Sequence, residues 1–207
     1  MIVTLIRHPA IDTTGERCIG QADVELSPDG QATLMSLAEK ACHQKPHRIL
    51  CSDLQRSRLL AEAIATRLGL RLEPDPIWRE VNFGRWENRT WSEIQAEEPR
   101  AFSEWVANFE QVAPPGGESF KQLQARVISA IWSQLSDAQK RTCDGHTLVV
   151  THAGVIRAAV SAFLNLPLRC AFEYGVPYGG QTSFHWNGTR WNMLNVAEVR
   201  NSQPRLQ

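Results

Sequence analysis

The feature that most constrains this chain is a regular switch of period. Short apolar runs alternate with longer stretches in which apolar residues return every three or four positions. Ile2, Val3, Leu5 and Ile6 form the first run, a buried strand expected in the middle of a sheet, and Arg7 and His8 end it at once. A helix follows with Ser27 as N-cap and Pro28 in its first position, running to about Cys42. Arg48–Cys51 reads as the second strand. Residues 54–68 then place Leu59, Leu60, Ala63, Ile64 and Leu68 on one helical face, with Gly69 as terminator and a third strand at residues 70–73. Strand, helix, strand, helix, strand requires right-handed crossovers, so the sheet is expected to be largely parallel and covered on both faces.

From residue 74 to 117 the pattern breaks. Trp78, Trp86, Trp91 and Trp105, four of the seven tryptophans, fall here among polar residues, with helices near 91–96 and 99–109. This stretch is read as an inserted cap, closed by Pro114-Pro115-Gly116-Gly117. An amphipathic helix at 119–135 runs through Leu123, Val127, Ile131 and Leu135. The sheet returns at His146–Thr151, a helix follows at 154–164, and Gln181–Trp186 pairs with residues 191–196 in a hairpin turned by Asn187-Gly188. A polar tail from about Asn201 is expected to be loose. At 207 residues and 43% hydrophobic content, the chain is read as one domain over residues 1–207, interrupted by the cap at about 74–117.

With 22 basic against 22 acidic side chains there is no general pull toward nucleic acid or anionic lipid, so any anion site must be local. The five cysteines, Cys18, Cys42, Cys51, Cys143 and Cys170, include no close pair, so no zinc ribbon or redox dithiol is expected. The apolar start has neither a basic leader nor a small-residue cleavage site, and no run approaches a membrane span. A cytoplasmic chain with free thiols is the expectation.

In such sheets ligands bind beyond the carboxyl ends of the strands. The first strand ends in Arg7 and His8, the second in Ser52 with Arg56 one turn further on, and the long central strand in His152. Taken singly, each has an ordinary structural reading. Together they place two imidazoles and two guanidiniums in one pocket, and the same motifs hold no carboxylate to neutralise them, which favours a multivalent anion. Arginine's fork suits phosphate, and amides at the start of the helix after His152 would add donors. A neutral imidazole beside two arginines is a competent nucleophile toward phosphorus, one nitrogen attacking while the other donates to a backbone carbonyl. The arginines and histidine supply the positive charge of the transfer, so no metal or cofactor is required. The leaving alkoxide needs a proton, and Glu80 or Glu87 is the carboxylate to give it. His43, His47, His146 and His185 lack such company and are read as structural or surface residues. The tryptophans are read as cap packing, with one or two available to stack on a substrate ring.

Four motifs in this order resemble the histidine phosphatase superfamily, also called the phosphoglycerate mutase-like family. They are Leu5-Ile6-Arg7-His8, Ser52-Asp53-Leu54-Gln55-Arg56, the stretch from Trp78 to Glu87, and Val150-Thr151-His152. The resemblance implies a three-layer α/β/α sandwich with a mostly parallel central sheet and a small helical cap. It implies a phosphohistidine at His8, phosphate contacts from Arg7, Arg56 and His152, proton donation by Glu80, and a small phosphomonoester as substrate. The segment from Cys18 to Leu26 (Cys18-Ile19-Gly20-Gln21-Ala22-Asp23-Val24-Glu25-Leu26), the stretch from Phe83 to Trp91 (Phe83-Gly84-Arg85-Trp86-Glu87-Asn88-Arg89-Thr90-Trp91) and Gly154-Val155-Ile156-Arg157 look like the alpha-ribazole phosphatase branch, which acts in assembly of the cobalamin nucleotide loop. A broad or sugar-phosphate phosphatase, a mutase and a non-catalytic phospho-ligand binder are the alternatives. Three positions depart from the usual glycine: Pro9, which has no N–H to offer phosphate, Asn88, and Ala153, whose methyl would restrict a tight pocket. No protein partner is implied, and self-pairing stays open.

Overall fold

The computed structural model describes residues 1–13, 16–141 and 145–195. Its strands are β1 (Ile2–Arg7), β2 (Arg48–Cys51), β3 (Leu72–Pro74), β4 (His146–Thr151), β5 (Gln181–Trp186) and β6 (Trp191–Asn195). Its helices are α1 (Pro28–Cys42), α2 (Gln55–Leu68), α3 (Trp91–Glu97), α4 (Pro99–Asn108), α5 (Phe120–Arg141), α6 (Ala153–Phe163) and α7 (Leu168–Ala171).

The six strands form one sheet in the order β3-β2-β4-β1-β5-β6. β1 pairs in parallel with β4, β4 with β2, and β2 with β3, while β5 runs antiparallel to β1 and to β6. Period-two alternation divides β1 between two cores. Val3 and Leu5 join Leu123, Val127, Ile131 and Ile156 from α5 and α6. Ile6 joins Ala38, Ala41, Leu60 and Ile64 from α1 and α2 on the other face. The result is the expected three-layer, mostly parallel α/β/α sandwich. Between these cores, the buried Thr4 hydroxyl is satisfied by His146 Nε2 and Ser183 Oγ, each at 2.8 Å. His146, expected to have only a structural role, has one here.

Local chemistry explains the ends of the elements. Ser27 Oγ caps α1 by accepting from Gly30 N at 3.1 Å, and Gly69 closes α2 at φ 64° in the left-handed region. β3 starts two residues later and ends one residue later than the sequence places it, because a Gly69 cap and the following Leu70 turn use up the start of the run. The short helix α7 is absent from the periodicity reading, being a single turn too brief to show a pattern. The tail from Asn201 lies outside the described residues.

The segment between β3 and α5 holds α3 and α4 and has its own aromatic cluster. Trp86, Ile94 and Cys18 are buried there against Phe83, Trp91, Phe102 and Trp105. Trp78 departs from the expectation of cap packing: it is buried in the main core with α5 and α6. The segment folds back on itself through close backbone contact. Arg85 N donates to Pro115 O, and Glu118 N donates to Asn82 O. A Cβ at Gly84 would stand 2.4 Å from Pro115 O, and one at Gly117 2.3 Å from Asn82 O, so only glycine fits at this closure. Among the described residues no helix is long and apolar enough to cross a membrane.

Candidate active site

Arg7 and His8 after β1 and Arg56 after β2 line one cavity of about 240 Å³ together with Glu80, whereas Ser52 after β2 and His152 after β4 are fully buried and do not line it. The parallel register of β1, β4 and β2 sets their carboxyl ends side by side. His8 N donates to Thr151 O at 2.9 Å, and Ser52 N to Val150 O at 2.9 Å, tying the three exits together.

His8 is 4% exposed. Its Nδ1 lies 2.7 Å from Pro9 O, and because a carbonyl only accepts, Nδ1 carries the proton and Nε2 the lone pair. Nε2 has no hydrogen-bond partner among the described residues. Burial holds the pKa of His8 well below 6.5, with Arg56 and Arg7 adding to the effect and the Pro9 bond opposing it. Pro9 therefore contributes to the site through its carbonyl, which sets the tautomer.

His152, fully buried, stands with its ring 5.1 Å from that of His8. Arg56 Nε donates to its Nδ1 at 3.3 Å, which leaves the proton on Nε2, 3.4 Å from Ser57 Oγ. Burial, then Arg56, His8 and Arg7, depress its pKa well below 6.5. Arg56 is anchored by backbone: Nη1 donates to Ala22 O at 2.7 Å and Nη2 to Gly20 O at 2.6 Å. Arg7 Nη1 donates to Val176 O at 2.6 Å, and its Cζ lies 3.8 Å from the centre of the Tyr178 ring. Arg7 Nε is buried with no acceptor among the described residues. A cluster of buried guanidiniums with an orphan donor is the signature of an anion site.

The two carboxylates separate clearly. Glu80 lines the cavity and accepts from Val81 N at 2.9 Å and Gly154 N at 3.0 Å. Glu87 is turned toward the loop after β1, accepting from Gln21 N at 2.9 Å and Phe83 N at 3.1 Å, and it does not line the cavity. Of the expected amides at the start of α6, that of Gly154 is thus not left for phosphate, since Glu80 occupies it. The Glu80 segment is held from both sides. Arg79 forms a bidentate pair with Asp53 at 2.7 and 2.6 Å, which keeps the Asp53 carboxyl below its usual range, and Arg126 of α5 donates to Ile77 O, Arg79 O and Glu80 O.

The departures at Asn88 and Ala153 also have structural accounts. Asn88 sits at φ 65°, a left-handed conformation that asparagine tolerates, while its N–H donates to Cys18 O. The Ala153 methyl packs in the main core and does not line the cavity, so the expected restriction of the pocket is not found.

Ser57, Tyr178 and Arg157, which line or support the site, were given no role from sequence, Arg157 appearing only as the end of the Gly154-Val155-Ile156-Arg157 motif. Ser57 follows Arg56 directly. Arg157 lies three residues after Gly154, on the same face of α6, so helical spacing would have found it. Tyr178 comes from a loop with no local pattern. Burial lowers the pKa of Arg157, Glu80 opposes that shift, and Arg7 adds to it. Among the described residues no group of three or more His, Cys, Asp or Glu side chains is gathered to hold a metal ion. The free cysteines Cys18 and Cys51 are buried, and burial pushes the Cys51 thiol up to about 12, so neither is a nucleophile at neutral pH.

Comparison with known proteins agrees with this geometry. The sequence profile of the histidine phosphatase superfamily (branch 1) matches residues 3–199. A glucosyl-3-phosphoglycerate phosphatase of Mycobacterium tuberculosis is 32% identical over 171 residues, spanning 80% of this chain and 76% of that protein. A probable phosphoglycerate mutase of Escherichia fergusonii is 34% identical over 166 residues, spanning 80% and 75%. The alpha-ribazole phosphatase of Shigella flexneri superposes with a TM-score of 0.86 over 96% of both chains at 23% identity, a likeness of fold. The chain belongs to the histidine phosphatase superfamily, branch 1.

Proposed function

We propose that the protein is a phosphomonoester hydrolase that passes the phosphoryl group through a phosphohistidine at His8. One observation carries this reading: the buried His8 ring commits its Nδ1 proton to Pro9 O and keeps Nε2 bare in a cavity lined by Arg7 and Arg56. Nε2 attacks phosphorus, and the N–P bond forms as the bond to the alcohol oxygen breaks. Glu80 gives its proton to the departing alkoxide. Water then attacks the phosphohistidine, Glu80 takes back a proton, and phosphate leaves as the N–P bond breaks. Arg7 and Arg56 offset the charge on the equatorial oxygens, and His152, whose Nε2 proton is held only by a 3.4 Å contact to Ser57, adds a donor once phosphate arrives. No step draws on a metal. The segment at 74–117 serves as a cap insertion within one domain, closing the cavity with Phe83 and Trp91.

For the alcohol, the motif resemblance names alpha-ribazole 5′-phosphate, whose aromatic base suits the Phe83, Trp91 and Phe172 walls. A second reading, an ester of a glycerate, is favoured by the relative that acts on glucosyl-3-phosphoglycerate. The test is phosphate release in EDTA from alpha-ribazole 5′-phosphate, 3-phosphoglycerate, a sugar phosphate and an aryl phosphate. Release is expected, together with an acid-labile phosphoenzyme in rapid quench, and His8→Ala should abolish both while still binding inorganic phosphate. Turnover retained in His8→Ala would remove the covalent mechanism. Conversion of 3-phosphoglycerate to its 2-isomer without net release would make the protein a mutase.

A further inference from the structure

We propose that Arg157 forms a second anion subsite beside the phosphate, selecting phosphomonoesters whose alcohol carries a carboxylate close to the ester. This deepens the phosphatase reading and rests on it. Arg157 is on α6, three and four residues after Gly154 and Ala153. Residues at that spacing are neighbours on one helix face, roughly 5–6 Å apart at Cβ. Its guanidinium therefore faces the cavity next to the turn that Glu80 contacts through Gly154 N.

What holds the guanidinium leaves most of it unused. Nε donates to Tyr174 O at 3.2 Å, and Cζ lies 5.3 Å from the centre of the Phe172 ring. No carboxylate forms an ion pair with it among the described residues. Five N–H groups in a planar fork thus have one protein acceptor, in a partly buried setting where an uncompensated cation is costly. Charge points the same way. Four arginines, Arg7, Arg17, Arg56 and Arg157, and one glutamate, Glu80, are the charged residues lining the cavity. With Glu80 carrying the proton it donates and Arg17 exposed to solvent, Arg7, Arg56 and Arg157 bring three positive charges; a phosphate dianion takes two, and a carboxylate monoanion takes the third. The planar carboxylate matches the arginine fork. An uncharged aromatic alcohol leaves this fork unmatched.

The deciding comparison is 3-phosphoglycerate against glycerol 3-phosphate, which share the ester and differ in carboxylate versus hydroxymethyl. Wild-type protein should prefer the carboxylate ester by about tenfold to a hundredfold in kcat/KM, mostly through KM, as a lost charge-assisted pair implies. Arg157→Met should reduce that preference at least tenfold, and Arg157→Lys should restore part of it. Calorimetric Kd values of the His8→Ala protein for the two esters give the same ratio without turnover. Equal kcat/KM for both esters in the wild type overturns the subsite and leaves the phosphatase standing, whether or not the Arg157 variants fold. An unchanged ratio in folded Arg157→Met also overturns it. No phosphate release from any ester, with a Kd ratio that still favours the carboxylate, overturns the phosphatase and leaves the subsite.

Discussion

The protonation of His8 and His152 is decided by their immediate surroundings. Both rings are buried beside Arg56 and Arg7, and both are held neutral well below 6.5. The nucleophile is therefore ready at the acid end of the physiological range. In ring-proton NMR titrations, His8 and His152 should show no inflection between pH 6 and 8, whereas an exposed histidine does. An inflection of either ring at or above 6.5 in the free protein would contradict the assignment. The same depression has a consequence for stability. The unfolded chain takes up these protons near pH 6.5 and the folded chain does not. Stability is therefore kept above that pH and lost as pH falls below it. The urea midpoint should drop steadily below pH 6.5.

At the scale of elements, the position of the Glu80 carboxylate depends on one missing methyl group. Gly154, in the first turn of α6, lets Glu80 approach so closely that a Cβ there would stand 2.2 Å from Glu80 Oε1. The clash is with the end of a side chain, so Gly154→Ala should push the carboxylate aside with only a modest loss of stability, about 1 kcal/mol. A displacement of about 1 Å at a proton donor costs on the order of 100-fold. Gly154→Ala should therefore lower kcat about tenfold to a hundredfold, with the Kd for inorganic phosphate little changed. Steady-state kinetics beside calorimetry checks this, and an unaltered kcat would show that Glu80 is not the donor. The same contact illustrates what sequence carries and what it omits. The apolar runs and caps of β1, α1, β2 and α2 are local, and their bounds were legible within a residue or two. Which of Glu80 and Glu87 turns inward depends on Arg79 reaching Asp53 and Arg126 reaching the Ile77, Arg79 and Glu80 carbonyls, pairings 26 to 49 residues apart that no local pattern records. Tyr178 and Val176, which contact Arg7 from about 170 residues away, were hidden for the same reason.

For the whole molecule, a chain of zero net charge holds a local excess of guanidinium groups at the carboxyl ends of its parallel strands. The alternation of periods made that placement legible, because a parallel sheet delivers the residues after each strand to one edge. The excess must weaken the empty fold, since Arg7 and Arg56 are both desolvated at the same cavity and Arg7 Nε has no acceptor among the described residues. An anion that binds the folded state alone relieves this. At a hundred times its Kd, phosphate adds about 2.7 kcal/mol of stability by mass action. For a domain of this size each kcal/mol shifts Tm by roughly 2–4 °C, so saturating phosphate should raise Tm by about 5–10 °C. Scanning calorimetry with phosphate exchanged for chloride at matched ionic strength separates the site from general screening, which acts on exposed charges. An equal rise in chloride would mean that the arginine cluster is no phosphate site. A rise specific to phosphate and retained in His8→Ala would place affinity in the arginines and leave to the imidazole the chemistry alone.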